Sequence, residues 1–229
     1  MLYVLWLIYY FLLYFRVANI LVSSMRFHSS YRNNLLKPDV FHMQPSKTNT
    51  DTFWRRTRFF PGLIATPLAY AFKVFPLDMY QHPNLFQSTR LPKPERDAIQ
   101  KFPDAKHMLI IRKGHFYTFP VYDENWNIFP PAYYLKVVRQ IMSDKAPESS
   151  GIGVFTSDDR DRWTDLRRHL ENNLGNSENL EKIDSALFAI CLDDDWTHNE
   201  EKQDDSVRNL VSGIDPANRW FDKSFSKQN

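Results

Sequence analysis

Lys106-His107-Met108-Leu109-Ile110-Ile111-Arg112-Lys113-Gly114-His115-Phe116-Tyr117-Thr118-Phe119-Pro120-Val121 carries two apolar runs on either side of a glycine. His107, Met108, Leu109, Ile110 and Ile111 form a run of strand length that reads as buried. Beyond Lys113-Gly114, residues Tyr117, Phe119 and Val121 alternate with Phe116 and Thr118, the period of a strand with one face on a core. Two strands around a glycine-containing dipeptide predict a β-hairpin.

Working outward, Pro130-Pro131 opens a helix in which Tyr134, Val137, Val138 and Ile141 share one side, ending near Ser143. Ser157 is the expected cap of a further helix, with Asp158, Asp159 and Asp161 at the positive end of its dipole and Trp163, Leu166 and Leu170 as its buried face. Gly175 suits that helix's C-terminal cap. A short helix from about Ser177 leads into the apolar run 186–192, which reads as a strand covered on both faces. On the other side of the hairpin, residues 63–75 are apolar and interrupted by Pro67, predicting a kinked helix or two short pieces. Residues 17–36 read as a helix stopped by Lys37-Pro38. Helices alternating with strands predict a mixed α/β domain.

A chain of 229 residues, 43% apolar and 24% charged, is long enough to bury a real core as one large domain or two small ones. Bulk disorder is excluded. A formal charge of +2 gives no field for nucleic acid, so no nucleic-acid partner is expected. Cys191 is the sole cysteine; no internal disulfide can form, which favours a reducing compartment such as cytosol or mitochondrial matrix.

The first fifteen residues carry no charge and read as Leu, Ile, Tyr, Phe and Val almost throughout. They fall short of the ~20 residues that span a bilayer, although the run extends past Arg16 to Val22. Without a leading basic residue or a small-residue cleavage site they make a poor signal peptide, and without an arginine-rich amphipathic face a poor transit peptide. A membrane anchor, a buried helix and a segment foreign to the fold all stay open.

Chemical signatures are sparse. Gly151-Ile152-Gly153 lacks the third glycine and the helix-opening context of a phosphate loop, and neither a zinc-hydrolase helix pair nor a cysteine cluster is present, so no metal is expected. None of His28, His42, His82, His107, His115, His169 and His198 is followed three residues later by the Asp of the His-centred acyltransferases. Asp193-Asp194-Asp195 with His198 reads as part of a solvated acidic loop rather than a metal or acid/base cluster. Cys191 reads as inert packing in a strand.

One segment suggests a physical activity. In Phe53-Trp54-Arg55-Arg56-Thr57-Arg58-Phe59-Phe60, bulky aromatics flank three arginines, and the apolar stretch 63–75 follows. Aromatic rings at headgroup depth, arginines on anionic lipid and an apolar helix entering shallowly would suit a bilayer interface. On composition alone, an ordinary surface helix packed on its own domain fits equally.

Several blocks, in order along the chain, resemble the choline/carnitine acyltransferase family, in its mitochondrial long-chain branch. They are Pro76-Leu77-Asp78-Met79; Ser88-Thr89-Arg90-Leu91-Pro92-Lys93-Pro94 with Arg96-Asp97; residues 106–117; Thr156-Ser157 with Arg160-Asp161 and Trp163; residues 180–194 through Asp184-Ser185-Ala186-Leu187-Phe188; and Asn218-Arg219-Trp220-Phe221-Asp222-Lys223-Ser224-Phe225. The resemblance covers about residues 17–194 plus the last octet. It implies a partial chloramphenicol-acetyltransferase-like fold, with helices around an incomplete mixed sheet. It also implies exchange of long-chain fatty acyl groups between coenzyme A and carnitine in fatty acid oxidation, both being substrates, with no metal or other cofactor. The implied location is the mitochondrial inner membrane, matrix side.

By the same resemblance the catalytic histidine lies beyond the block that holds Arg219, so no catalytic residue is expected in this chain. Arg219 and Asp222 match supporting positions around the catalytic loop. Residues 44–75 match the family branch's membrane-associating insertion, making Phe53, Trp54, Arg55, Arg56, Arg58, Phe59 and Phe60 the expected membrane-contact residues. Residues 1–16 match nothing in the family, residues 193–217 form a divergent acidic loop, and residues 226–229 depart from the expected apolar strand. Residues 17–229 therefore read as a partial acyltransferase domain, with both ends suggesting a truncated or mispredicted gene product. The expected function is a carnitine acyltransferase inactive alone; the alternative is a non-catalytic membrane-associated protein that retains the lipid-contacting lobe.

Overall fold

A computed structural model describes residues 2–36, 39–149, 151–173 and 175–192. The chain forms two compact units, one built from Met1–His28 and the chain from Asn84 onward, the other from Ser29–Pro83.

The first unit is organised by the hairpin. Strands β5 (His107–Arg112) and β6 (His115–Pro120) pair antiparallel with Arg112 opposite His115, leaving Lys113 and Gly114 as a two-residue turn. Both turn residues have positive φ, 51° and 74°, the geometry that matches the twist of a tight hairpin. A side chain at Gly114 would put its Cβ 2.8 Å from the Ser149 carbonyl oxygen, so close approach as well as φ requires glycine there. On its other edge β5 pairs parallel with β7 (Ala189–Leu192), giving the order β6-β5-β7. The sheet is mixed, as the resemblance implies, and β7 is shorter than the apolar run, whose Leu187 N–H and Phe188 C=O bond to His107 and Leu109 of β5 just ahead of the strand.

Period two in β5 divides the core. Met108 and Ile110 face one cluster with Val17, Leu21 and Met25, while Leu109 and Ile111 face another with Trp163, Leu180 and Ile183. Helix α1 (Leu2–Arg32) and helix α5 (Pro131–Ser143) supply the first layer; α6 (Arg160–Glu171) and α7 (Asn176–Ser185) supply the second. The Pro130 cap and the buried Tyr134, Val138 and Ile141 of α5 agree with the sequence reading, with Val137 half-buried beside them.

Other expectations are corrected. Helix α1 begins at Leu2, well ahead of the expected residue 17, and runs unbroken through Arg16, whose side chain is exposed. It stops at Arg32, ahead of Lys37-Pro38, because Asn34 takes a left-handed φ of 55°. Among the described residues no helix is long and apolar enough to cross a membrane. Ser157 closes a 3-10 turn instead of capping α6; the cap is Asp159, whose carboxylate accepts from Asp161 N–H at 3.0 Å. Gly175, with φ 72°, precedes α7 as its N-cap, and Asn172 ends α6. The buried face of α6 is Trp163, Thr164 and Arg167, with Leu166 and Leu170 only half-buried.

Tyr134 is fully buried and donates its hydroxyl to the Val121 carbonyl at 2.9 Å. Burial pushes its pKa up to about 12. An ordinary tyrosine in the unfolded chain ionises near pH ~10, so the folded state holds the proton over a range where the unfolded state has released it. The stabilisation is therefore complete below about pH 10 and is lost as pH rises toward about 12. Urea titrations should show the native chain more stable than Tyr134→Phe by ~0.5–1.5 kcal/mol near neutrality. That advantage should shrink through the alkaline window; a constant difference would contradict the account.

The second unit pairs two three-residue strands, β1 (Val40–His42) and β2 (Val74–Pro76), with His42 opposite Val74. Between them run α2 (Pro45–Thr48), α3 (Asp51–Thr57) and α4 (Gly62–Ala71). The apolar stretch expected as a kinked helix or two short pieces is one helix that retains Pro67, and its last residues leave helix to form β2.

Candidate functional site

The aromatic-arginine segment forms α3 and the turn that follows it. Thr50 caps the helix by accepting from Phe53 N–H at 3.2 Å, and Asp51 sits in the first turn where a negative charge is favoured. Arg58 is the C-cap residue, which places Phe59 and Phe60 on the short link to α4. Phe53 packs edge-on against Phe72 with ring centroids 5.5 Å apart, and against Trp54 at 5.9 Å, so it faces its own unit. Phe59 is 82% exposed, and Trp54, Phe60, Ile64, Tyr70 and Phe72 are exposed as well. Arg55, Arg56 and Arg58 are exposed and take no ion-pair partner among the described residues.

The structure thus brings six of the seven sequence-predicted contact residues to an exposed surface and turns Phe53 half inward as their support. Sequence reasoning missed His42. Thr48 donates its hydroxyl to the Gln44 carbonyl at 2.9 Å, so its oxygen accepts from His42 Nδ1, also at 2.9 Å. The ring stands edge-on to Trp54 at 5.6 Å, tying β1 to α3. No local pattern announces this, because the three residues come from separate turns of chain.

Three other histidines are held by contacts within the first unit. His28 is 2% exposed, with Nδ1 2.7 Å from the Tyr122 hydroxyl and Nε2 facing Gln87. His107 and His115 each direct Nε2 to a carbonyl, of Lys182 and Pro147, both at 2.7 Å. His169 is exposed on α6. Among the described residues no group of three or more His, Cys, Asp or Glu could hold a metal ion. Arg219, Asp222 and His198, with the acidic segment, lie outside the described residues.

The blocks of the first unit that carry the family resemblance form its framework. Arg90 on β3 (Ser88–Leu91) reaches Asp97, just before β4 (Ala98–Lys101), at 3.5 Å, and Arg160 reaches the same carboxylate at 2.9 Å. Arg167, buried on α6, donates to both oxygens of Asp184 on α7 and to Glu171 at 2.9 Å. Burial alone would pull the Arg167 pKa down, but the bonds and charges of Asp184 and Glu171 outweigh it and raise it.

These blocks have counterparts elsewhere. The family model described as choline/carnitine O-acyltransferase matches residues 10–227. The chain belongs to that family. Carnitine O-palmitoyltransferase 2, mitochondrial, of Macaca fascicularis is 43% identical over 216 residues, which is 92% of this chain and 32% of that protein. The Homo sapiens protein of the same name gives the same identity and coverage. Peroxisomal carnitine O-octanoyltransferase of Bos taurus is 30% identical over 160 residues, 66% of this chain and 26% of its own length. This acyltransferase-family chain thus spans about a third of the length of the palmitoyltransferases it matches. The family match begins inside the apolar N-terminal stretch and runs on through the acidic segment.

Proposed function

We propose that this chain provides part of a carnitine O-acyltransferase that exchanges long-chain acyl groups between coenzyme A and carnitine in mitochondria. The observation that carries the reading is 43% identity to mitochondrial carnitine O-palmitoyltransferase 2 across 92% of the chain. A thioester and a carnitine ester are close in energy, so the chemistry needs one base to deprotonate the incoming hydroxyl or thiol. A histidine titrating near neutrality suits that task in both directions. Coenzyme A and carnitine are substrates, and no further cofactor enters. Buried acyl methylenes contribute ~0.8 kcal/mol each to chain-length selectivity.

His28, His107 and His115 do not supply that base in this reading. His28 is enclosed, and His107 and His115 are held against backbone carbonyls. Arg219 and Asp222 are proposed to support the catalytic loop rather than to touch substrate. The exposed aromatic and arginine residues of α3 and the α3–α4 link are proposed to seat the protein on the matrix face of the inner membrane. What supports this is the row of apolar side chains in water beside three cations.

Grafting tests the acyltransferase reading. A human carnitine O-palmitoyltransferase 2 in which the matching segment is replaced by residues 17–192 of this chain is expected to transfer palmitoyl from coenzyme A to labelled carnitine. A chimera that folds, by circular dichroism and melting, yet transfers nothing would contradict it.

A further inference from the structure

The second unit contains a groove of about 740 Å³ between the β1–β2 pair and helices α3 and α4. That lies within the ~300–1,000 Å³ typical of small-molecule sites. Its walls include Val40, Phe53, Leu68, Phe72 and Val74, so the interior is mainly apolar. Arg58 and His42 also line it, and Asp39 is the one carboxylate among the lining residues. Because the Nδ1 proton of His42 is directed to Thr48, Nε2 is the polar atom that ring has left to offer. The helix beside the groove carries Arg55 and Arg56 with Asp51 as its single acid, and Arg58 caps it, so the local charge favours an anionic ligand.

We propose that this groove binds one molecule of a single-chain anionic amphiphile, a fatty acid anion, with its unbranched chain along the Phe53–Phe72 wall and its carboxylate toward Arg58. The inference rests on the membrane-contact reading for its supply of lipid but differs from it in kind. Membrane contact needs only an exposed apolar surface, whereas a groove that seats one chain along its apolar wall counts methylenes. Trp54, which also lines the groove, is a built-in reporter.

The test titrates the full chain with monomeric ω-bromoundecanoate and reads tryptophan quenching, with Trp54→Phe subtracting the other tryptophans. Unlabelled octanoate, decanoate, dodecanoate and tetradecanoate then compete. Each added methylene is expected to tighten binding about fourfold, the equivalent of ~0.8 kcal/mol per buried methylene. Ala69→Phe, which fills the groove from α4, is expected to abolish quenching while flotation on anionic vesicles persists. Competition independent of chain length in the native chain overturns the proposal without recourse to any variant. So does quenching by vesicles of brominated phospholipid but not by the monomeric acid, because the wall then only rests on the bilayer. Failure of the native chain to float would instead strike the membrane reading while the fatty-acid titration still reports on the groove.

Discussion

Asp184→Ala is expected to lower the stability of the first unit by about 3–5 kcal/mol, because it leaves Arg167 as a charge without its main partner inside the protein. Arg167 and Asp184 are 7% and 4% exposed, at the seam where α6 and α7 cover the Leu109 and Ile111 face of β5. Water cannot replace the lost carboxylate there. Glu171 accepts from the Arg167 Nε but is itself largely exposed, so it compensates only in part. Pairing Asp184→Leu with Arg167→Met removes both charges and keeps similar volume, and the double variant is expected to recover most of the loss. Thermal or urea unfolding measures both. A single variant within about 1 kcal/mol of the native chain would show that the pair contributes no more than a surface ion pair.

Replacing Arg55, Arg56 and Arg58 together with glutamate is expected to release the chain from anionic vesicles. Each cation near a negatively charged leaflet contributes ~1 kcal/mol, so losing three weakens partitioning by about a hundredfold before the added repulsion is counted. Neutral vesicles should discriminate little between the two proteins. Serine at Phe59 and Phe60 should weaken partitioning onto both kinds of vesicle, since it removes apolar area rather than charge. Equal flotation of the native and triple-glutamate chains on anionic vesicles would mean that α3 is an ordinary surface helix.

The parts of the fold legible in the sequence were those with a strong local signal. The β5–β6 hairpin showed itself through a buried run, an alternating run and a Lys-Gly dipeptide; α5 did so through paired prolines and a stripe at helical spacing. Pairings between distant short segments left no such trace. Val40–His42 and Val74–Pro76 are three residues each, too short for a period to register, and they meet only because the intervening helices fold back. The pairing of Ser88–Leu91 with Ala98–Lys101 escaped for the same reason. Caps were misplaced where two candidates stood close together, Ser157 against Asp159, because a 3-10 turn shifted the start of α6. Arg167 was invisible as a buried residue, since an amphipathic pattern assigns arginine to the solvent side unless its partner, seventeen residues on, is known.

The candidate site was legible to a similar degree. Composition alone found the exposed row of arginines and aromatics, yet it could not show that Phe53 faces inward or that His42, Trp54 and Phe72 surround a groove. Those contacts depend on β1 and β2 pairing, which is long-range information.

His28, His107 and His115 are held by contacts within the fold, and the proposed reading gives none of them the work of the base. The measurement that decides this is palmitoyl transfer from coenzyme A to labelled carnitine by the purified chain, with anionic vesicles present. No acylcarnitine is expected above a blank without protein; sustained turnover that vanishes when His28, His107 or His115 is replaced by glutamine would overturn that assignment.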